Sequence, residues 1–184
     1  MSTSTALSQL TGTWTIDPSH SSVGFVARHA MVTKVRGTFN EYSGTATVGA
    51  DLADSSVRVE IDANSVDTRS ADRDAHLRSN DFFGTDEHAQ ITFVSTDVTK
   101  TGDDSFDLTG DLTIKGTTRS VTIPFTFEGG ATDPFGNVRA GFEGKAVVNR
   151  KDFGLVWNAA LETGGVLVSD KVTLEFEISA VKSA

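Results

Sequence analysis

The chain has 184 residues, no cysteine and a formal net charge of -9. Without thiols it has no disulfides, thiolate metal sites or cysteine nucleophiles, and its acidity argues against nucleic acid as a partner. No run approaches the roughly 18 apolar residues of a membrane span. The start, MSTSTALSQLTGTW, has neither a basic leader nor an apolar signal core, so the expected location is cytoplasmic.

In chain order, residues 1–12 are small and polar and are expected to form a flexible arm, with one domain over 13–184. Beyond the arm the dominant pattern is alternation with period two. Val57, Val59 and Ile61 alternate with Arg58, Glu60 and Asp62. The same holds for Leu108, Leu112 and Ile114, with Gly110 in the apolar register, and for Val121, Ile123, Phe125 and Phe127. Ala140, Phe142, Gly144, Ala146 and Val148 share one face, as do Val172, Leu174, Phe176 and Ile178. One dry and one wet face per strand is the signature of an antiparallel sheet covered on one side. Turn signals at 101–105, 115–118 and 133–137 separate the strands. Pro124, on a wet face, predicts an edge or a bulge at that point. About eight strands are expected, and closing such a sheet removes its edges while leaving room for one small ligand.

Residues 70–83 break this pattern. A Ser or Asp cap followed by Asp72, Arg73, Asp74, His76 and Arg78 predicts a short helix over about 70–80 near a barrel mouth, with an Asp74–Arg78 pair four residues apart. It reads as an ion-paired lid packed by Leu77, Phe82 and Phe83, or as a carrier of polar contacts to a ligand.

Four groups of residues are candidates for chemistry. Between Pro18 and Asn40 there is no acidic residue, yet Arg28, Lys34, Arg36 and two histidines are present. This basic island suits either an anionic head group or a solvated face paired with acids from neighbouring strands. Asp17, Ser19 and His20 are the residue types of a hydrolytic triad, but without a nucleophile elbow they fit an Asx turn better. The four histidines, His20, His29, His76 and His88, include no zinc-type i, i+4 pair. Finally, Phe153, Leu155 and Trp157 alternate ahead of a Gly164-Gly165 turn, as a cavity wall or as plain core.

Several strings resemble the YceI-like family of polyisoprenoid-binding, lipocalin-like bacterial proteins. They are WTIDPSHSSVGFVARHAMVTKVRGTF, SVDTRSADRDAHLRSNDFFGTDEHAQITF, GDLTIKGTTRSVTIPF, and NRKDFGLVWN with LETGGVLVSDKV. The resemblance spans about residues 13–181. It implies an all-β, lipocalin-like, closed eight-stranded antiparallel barrel around a hydrophobic tunnel. It also implies non-catalytic binding, transport or storage of a polyprenyl chain, a quinone-like lipid or a fatty-acid derivative, commonly in a homodimer. No cofactor is implied. Phe25, Ala27, Phe39, Phe125, Phe142 and Trp157 are the expected tunnel wall, and Arg28, His29 and Arg78 the expected head-group end. Two alternatives are a lipid- or ester-acting enzyme using Asp17, Ser19 and His20, and a stress-related domain with a solid core.

Overall fold

The computed structural model describes residues 6–162 and 164–183. Among them run eleven strands: β1 (Gly12–Ile16), β2 (Ser22–His29), β3 (Thr33–Phe39), β4 (Tyr42–Val48), β5 (Ser56–Asp62), β6 (Val66–Asp67), β7 (Gln90–Lys100), β8 (Ser105–Ile114), β9 (Thr117–Thr132), β10 (Val138–Asn149) and β11 (Lys171–Lys182). The one α-helix among the described residues, α1, is Ala71–Arg78.

Every pairing is antiparallel, and eight strands close a ring in the order β1-β4-β5-β7-β8-β9-β10-β11 and back to β1. The expected eight-stranded barrel is therefore the observed one. The three further strands arise from a break in the first wall. Asp17 accepts a hydrogen bond from the Ser19 N–H at 3.0 Å and turns the chain through a short 3-10 helix, Pro18–His20. β1 and β2 are thus two halves of one line, and both pair with β11: β1 through Ile16–Ala180, β2 through Val23–Phe176. On its far side β1 meets β4, whereas β2 meets β3, which ends on β6.

Pro124 lies where the register predicts an edge. β10 pairs with β9 only from Phe125 onward, so the first half of β9 lacks a β10 neighbour. A short 3-10 helix, Arg150–Phe153, lies alongside it and buries Phe153.

Helix α1 starts where Ser70 caps it, its hydroxyl accepting from the Arg73 N–H at 3.3 Å. Asp72 and Asp74 occupy the first turn and His76 and Arg78 the last, complementing the helix dipole. The expected Asp74–Arg78 pair does not form, because the Asp74 carboxylate turns back to accept from the N–H (2.8 Å) and hydroxyl (2.5 Å) of Thr68. That exchanges a surface ion pair worth little for two hydrogen bonds that anchor the helix to the strand before it.

The interior divides into two clusters. The larger runs from Phe39, Phe82 and Phe83 through Phe93 and Phe125 to Phe153. The smaller closes the opposite end with Leu7, Leu10, Trp14, Phe127, Ala140 and Ala180. Of the segment expected to be a flexible arm, residues 1–5 lie outside the described residues. Leu7 and Leu10 are buried, and the Trp14 indole donates to the Leu10 carbonyl at 2.7 Å. A one-turn 3-10 helix, Leu7–Gln9, folds the segment back so that Leu7 and Leu10 reach Trp14 at the start of β1, and that is how so small and polar a segment seals a barrel end.

Candidate functional site: an apolar bore

Inward-facing residues of the ring do not fill it. A cavity of about 280 Å³ runs the length of the barrel, from Leu7 and Trp14 at the sealed end to Leu77 and Val168 beneath the helix. Its lining is almost wholly apolar, and the sole ionisable group on it, among the described residues, is Arg150.

Glycines in the apolar register hold it open. A Cβ on Gly37 would stand 2.3 Å from the Phe25 ring, one on Gly110 2.4 Å from Phe93, and one on Gly144 2.4 Å from Phe125. Each ring thus lies flat against the wall where a neighbouring strand has no side chain. The bore keeps the volume that three larger residues would take. Aromatic contacts continue along it: Phe127 and Phe142 are 5.5 Å apart, Phe142 and Phe106 6.0 Å, Phe106 and Phe125 5.7 Å, and Phe125 and Phe176 6.0 Å.

Of the residues expected to form the wall, Phe25, Ala27, Phe39, Phe125 and Phe142 line this cavity. Trp157 does not. Its indole stacks edge-on to His76 (4.6 Å) and tilts against Phe82 (5.5 Å), behind the lining, because the chain after Phe153 runs as a loop and not as an alternating strand. The expected head-group residues lie off the lining as well. Arg28 and His29 are exposed at the end of β2, and Arg78 sits at the last turn of α1, where Leu77 takes the inward position. For the helix, Leu77, Phe82 and Phe83 line the bore beneath it as the lid reading expects, but the ion pairing expected of that lid is not formed, since Asp74 bonds Thr68 in place of Arg78.

Arg150 is the residue that sequence reasoning missed. It is 5% exposed and donates to four backbone carbonyls: Ser169 (2.9 Å), Leu155 (2.5 Å), Trp157 (2.9 Å) and Val168 (3.4 Å). Burial lowers its pKa from the ordinary guanidinium value, against the pull of Asp170. Its fork gathers both arms of the 155–169 loop, and Asn158 adds a second clasp through Val168. The signal in the sequence is Arg150-Lys-Asp-Phe-Gly154 just past a strand end.

The Asp17, Ser19 and His20 side chains do meet. Ser19 Oγ is 2.6 Å from Asp17 Oδ1 and 3.0 Å from His20 Nδ1, and that same Nδ1 is 2.8 Å from Asp17 Oδ2. A catalytic relay uses opposite ring nitrogens for acid and nucleophile; here one nitrogen faces both. Arg139 completes the cluster, reaching Asp17 and Asp133 at 2.8 Å each. Hydrogen bonds from Ser19, Arg139 and His20 hold the Asp17 carboxyl well below the usual carboxylate range, and Arg139 brings Asp133 down to about 2. The cluster is a clasp on the β1–β2 break. No group of three or more metal-type ligands occurs among the described residues, and none of their helices is long and apolar enough to cross a membrane.

A closed eight-stranded antiparallel barrel, sealed at one end and lined with apolar side chains, defines a lipocalin-like protein. The YceI-like domain model matches residues 14–180, and the chain belongs to the YceI-like family. A UPF0312 protein of Staphylococcus epidermidis is 39% identical over 166 residues, covering 89% of this chain and 93% of the relative. One from Staphylococcus aureus is 39% identical over 171 residues, covering 91% and 95%. Among solved structures, BcnA of Burkholderia cenocepacia superposes with a TM-score of 0.78 at 26% identity, covering 89% of this chain and 98% of that one. A polyisoprenoid-binding domain from Saccharophagus degradans gives a TM-score of 0.70 at 16% identity, covering 92% and 98%, and shares the fold.

Proposed function

We propose that the bore takes the apolar chain of an isoprenoid or similar long-chain amphiphile and that the protein carries or stores it without chemical change. The observation that carries this reading is the cavity itself. Leaving about 280 Å³ of apolar space unfilled costs, at about 24 cal/mol per Å³, on the order of 7 kcal/mol. That is comparable to the entire net stability of an ordinary domain, roughly 5–15 kcal/mol. A void of that size is no packing flaw, and three glycines are spent on keeping it. The near absence of polar groups selects an apolar chain and leaves its chemical type loosely specified, since each buried methylene adds about 0.8 kcal/mol whatever its branching. The polyisoprenoid named for the Saccharophagus degradans domain is one such chain. Quinone-like lipids and fatty-acid derivatives are others.

Native mass spectrometry of the purified protein, followed by organic extraction, tests the reading. A co-purified hydrophobic molecule is expected, or uptake of added geranylgeraniol by empty protein. Protein that is empty and stays empty overturns it. The same reading takes the carrier as a homodimer, on the family resemblance, and light scattering checks that.

A further inference from the structure

The hairpin between β2 and β3 has three features that fold stability does not account for. Its two central residues, Ala30 and Met31, both have positive φ, 50° and 63°, and the Val32 N–H closes the turn on the His29 carbonyl at 3.1 Å. Turns of this type favour Asn-Gly, because side chains other than glycine are strained there. Here the strain serves to project apolar groups outward: Met31 is 61% exposed and Val32 74%.

The second feature is charge. Arg28 and Lys34 stand directly opposite one another in the β2–β3 ladder, on the outer face. Like charges so placed repel. Among the described residues neither has an acidic partner, whereas Arg36 two positions on is paired with Glu175 at 3.1 Å. The surrounding acids are largely engaged: Glu175 also meets Lys145 at 3.4 Å, and Asp170 meets Lys151 at 3.3 Å. Glu162, on the adjoining loop, is the remaining one, exposed in the turn before Gly164.

The third is position. The Ala30 N–H donates to the Leu167 carbonyl at 2.7 Å, His29 bridges to Val168, and a Cβ on Gly165 would strike the Met31 sulfur. Val166, on the same loop, is 39% exposed and extends the apolar tip. Ala27 and Val168, just inside, line the bore. The tip therefore stands at the rim of the end opposite the sealed one.

From these we infer that the β2–β3 hairpin docks the barrel onto an anionic membrane surface, with Met31, Val32 and Val166 entering the interface and Arg28 and Lys34 meeting lipid head groups. An apolar tip flanked by unpaired cations suits a negatively charged bilayer, and because the chain as a whole carries -9 most of its remaining surface is repelled by such a bilayer, which leaves this end as the one that approaches. The inference rests on the bore being a lipid site, since docking puts that rim against the source of its ligand.

Co-sedimentation with extruded vesicles tests it: phosphatidylcholine with one quarter phosphatidylglycerol, against phosphatidylcholine alone. Binding to the anionic vesicles that weakens at high salt is expected. Arg28→Gln with Lys34→Gln should lower that binding roughly thirtyfold, with no loss of thermal stability. Ala30→Asn with Met31→Gly should raise the melting temperature by relieving the turn and yet lower vesicle binding. Phe135→Ser, which removes an 89% exposed ring from the β9–β10 turn at the other end, should leave binding unchanged. Equal binding to both vesicles, or insensitivity to the hairpin variants, overturns the inference. Failure to bind any vesicle also overturns it and assigns the tip to a protein partner. Loading of the soluble protein with geranylgeraniol is scored separately, so a docking failure and an empty bore are told apart.

Discussion

Replacing Gly144 by alanine adds one methyl group and should close part of the bore. The new Cβ would lie 2.4 Å from Cε1 and 2.6 Å from Cδ1 of Phe125, so the ring must lift off the wall. Its other neighbours are Phe106, stacked at 5.7 Å, and Phe176 at 6.0 Å, which leaves the cavity as the direction of escape. A phenyl ring moved there takes the place of about five tail carbons, which at about 0.8 kcal/mol each is on the order of 4 kcal/mol, or about a thousandfold in Kd. Stability should change far less, by about 1–3 kcal/mol, since the strain relaxes into empty space. Gly141→Ala is the control: on the same strand its Cβ finds nothing nearer than 3.8 Å. Displacement of a fluorescent polyene fatty acid gives the affinities, and thermal unfolding gives the stabilities. If Gly144→Ala and Gly141→Ala bind alike within threefold, the rings resting on glycines do not set the gauge of the bore.

Three further outcomes follow from other parts of the molecule. Leu10→Ala should destabilise the fold by about 2–4 kcal/mol, read by urea denaturation, because Leu10 is 2% exposed in the cluster that seals the barrel; an effect below 0.5 kcal/mol would mean the segment is a loose arm after all. Arg150→Met should strand the carbonyls of Leu155, Trp157, Val168 and Ser169, cost about 3 kcal/mol and open the 155–169 loop to limited proteolysis; unchanged cleavage would refute the clasp. Asp17 and Asp133 have folded-state pKa values below their unfolded ones, so their contribution is complete above about pH 5 and is lost as pH falls through 4 toward about 2. Arg139→Met should flatten that acid limb of a melting-temperature profile, and a limb of unaltered steepness would assign acid sensitivity elsewhere.

Much of the barrel is legible in the chain. The alternating runs 57–61, 108–114 and 121–127 turn most of their apolar members to the bore, with Val57, Leu112 and Ile123 on its lining, while Phe127 packs in the cluster that seals the end. Asp17-Pro18-Ser19 announces its Asx turn, and Pro124 its edge. What alternation cannot convey is whether an inward face is filled or hollow, since solid core and cavity wall demand the same residues. That depends on which glycine lies under which ring, a matter of register between strands such as β9 and β10. Trp157 misled because period two continues past Phe153 although the strand has ended. Arg150 is hidden in the sequence because most of its partners are backbone carbonyls, which any residue supplies, and its one acid, Asp170 at 3.7 Å, lies twenty residues along the chain. Within the basic island, strand parity puts Arg28 on the outer face, one residue from the lining Ala27.

The seam between β1 and β11 also sets the order of assembly. Trp14 pairs with Lys182 and Ile16 with Ala180, so the ring joins almost the first described strand residues to the last. Every other neighbouring pair in the ring except β1–β4 and β5–β7 is a sequential hairpin or nearly so, and can form as the chain emerges; the seam cannot. Contacts of such sequence separation carry the largest loop-closure entropy and slow folding accordingly. Until β11 arrives, β1 is an edge strand, and Leu7, Leu10 and Trp14 have no Ala180 to pack upon. Sealing the barrel therefore waits for β11, and a nascent chain that has not yet reached Lys171 is an open sheet with an apolar face.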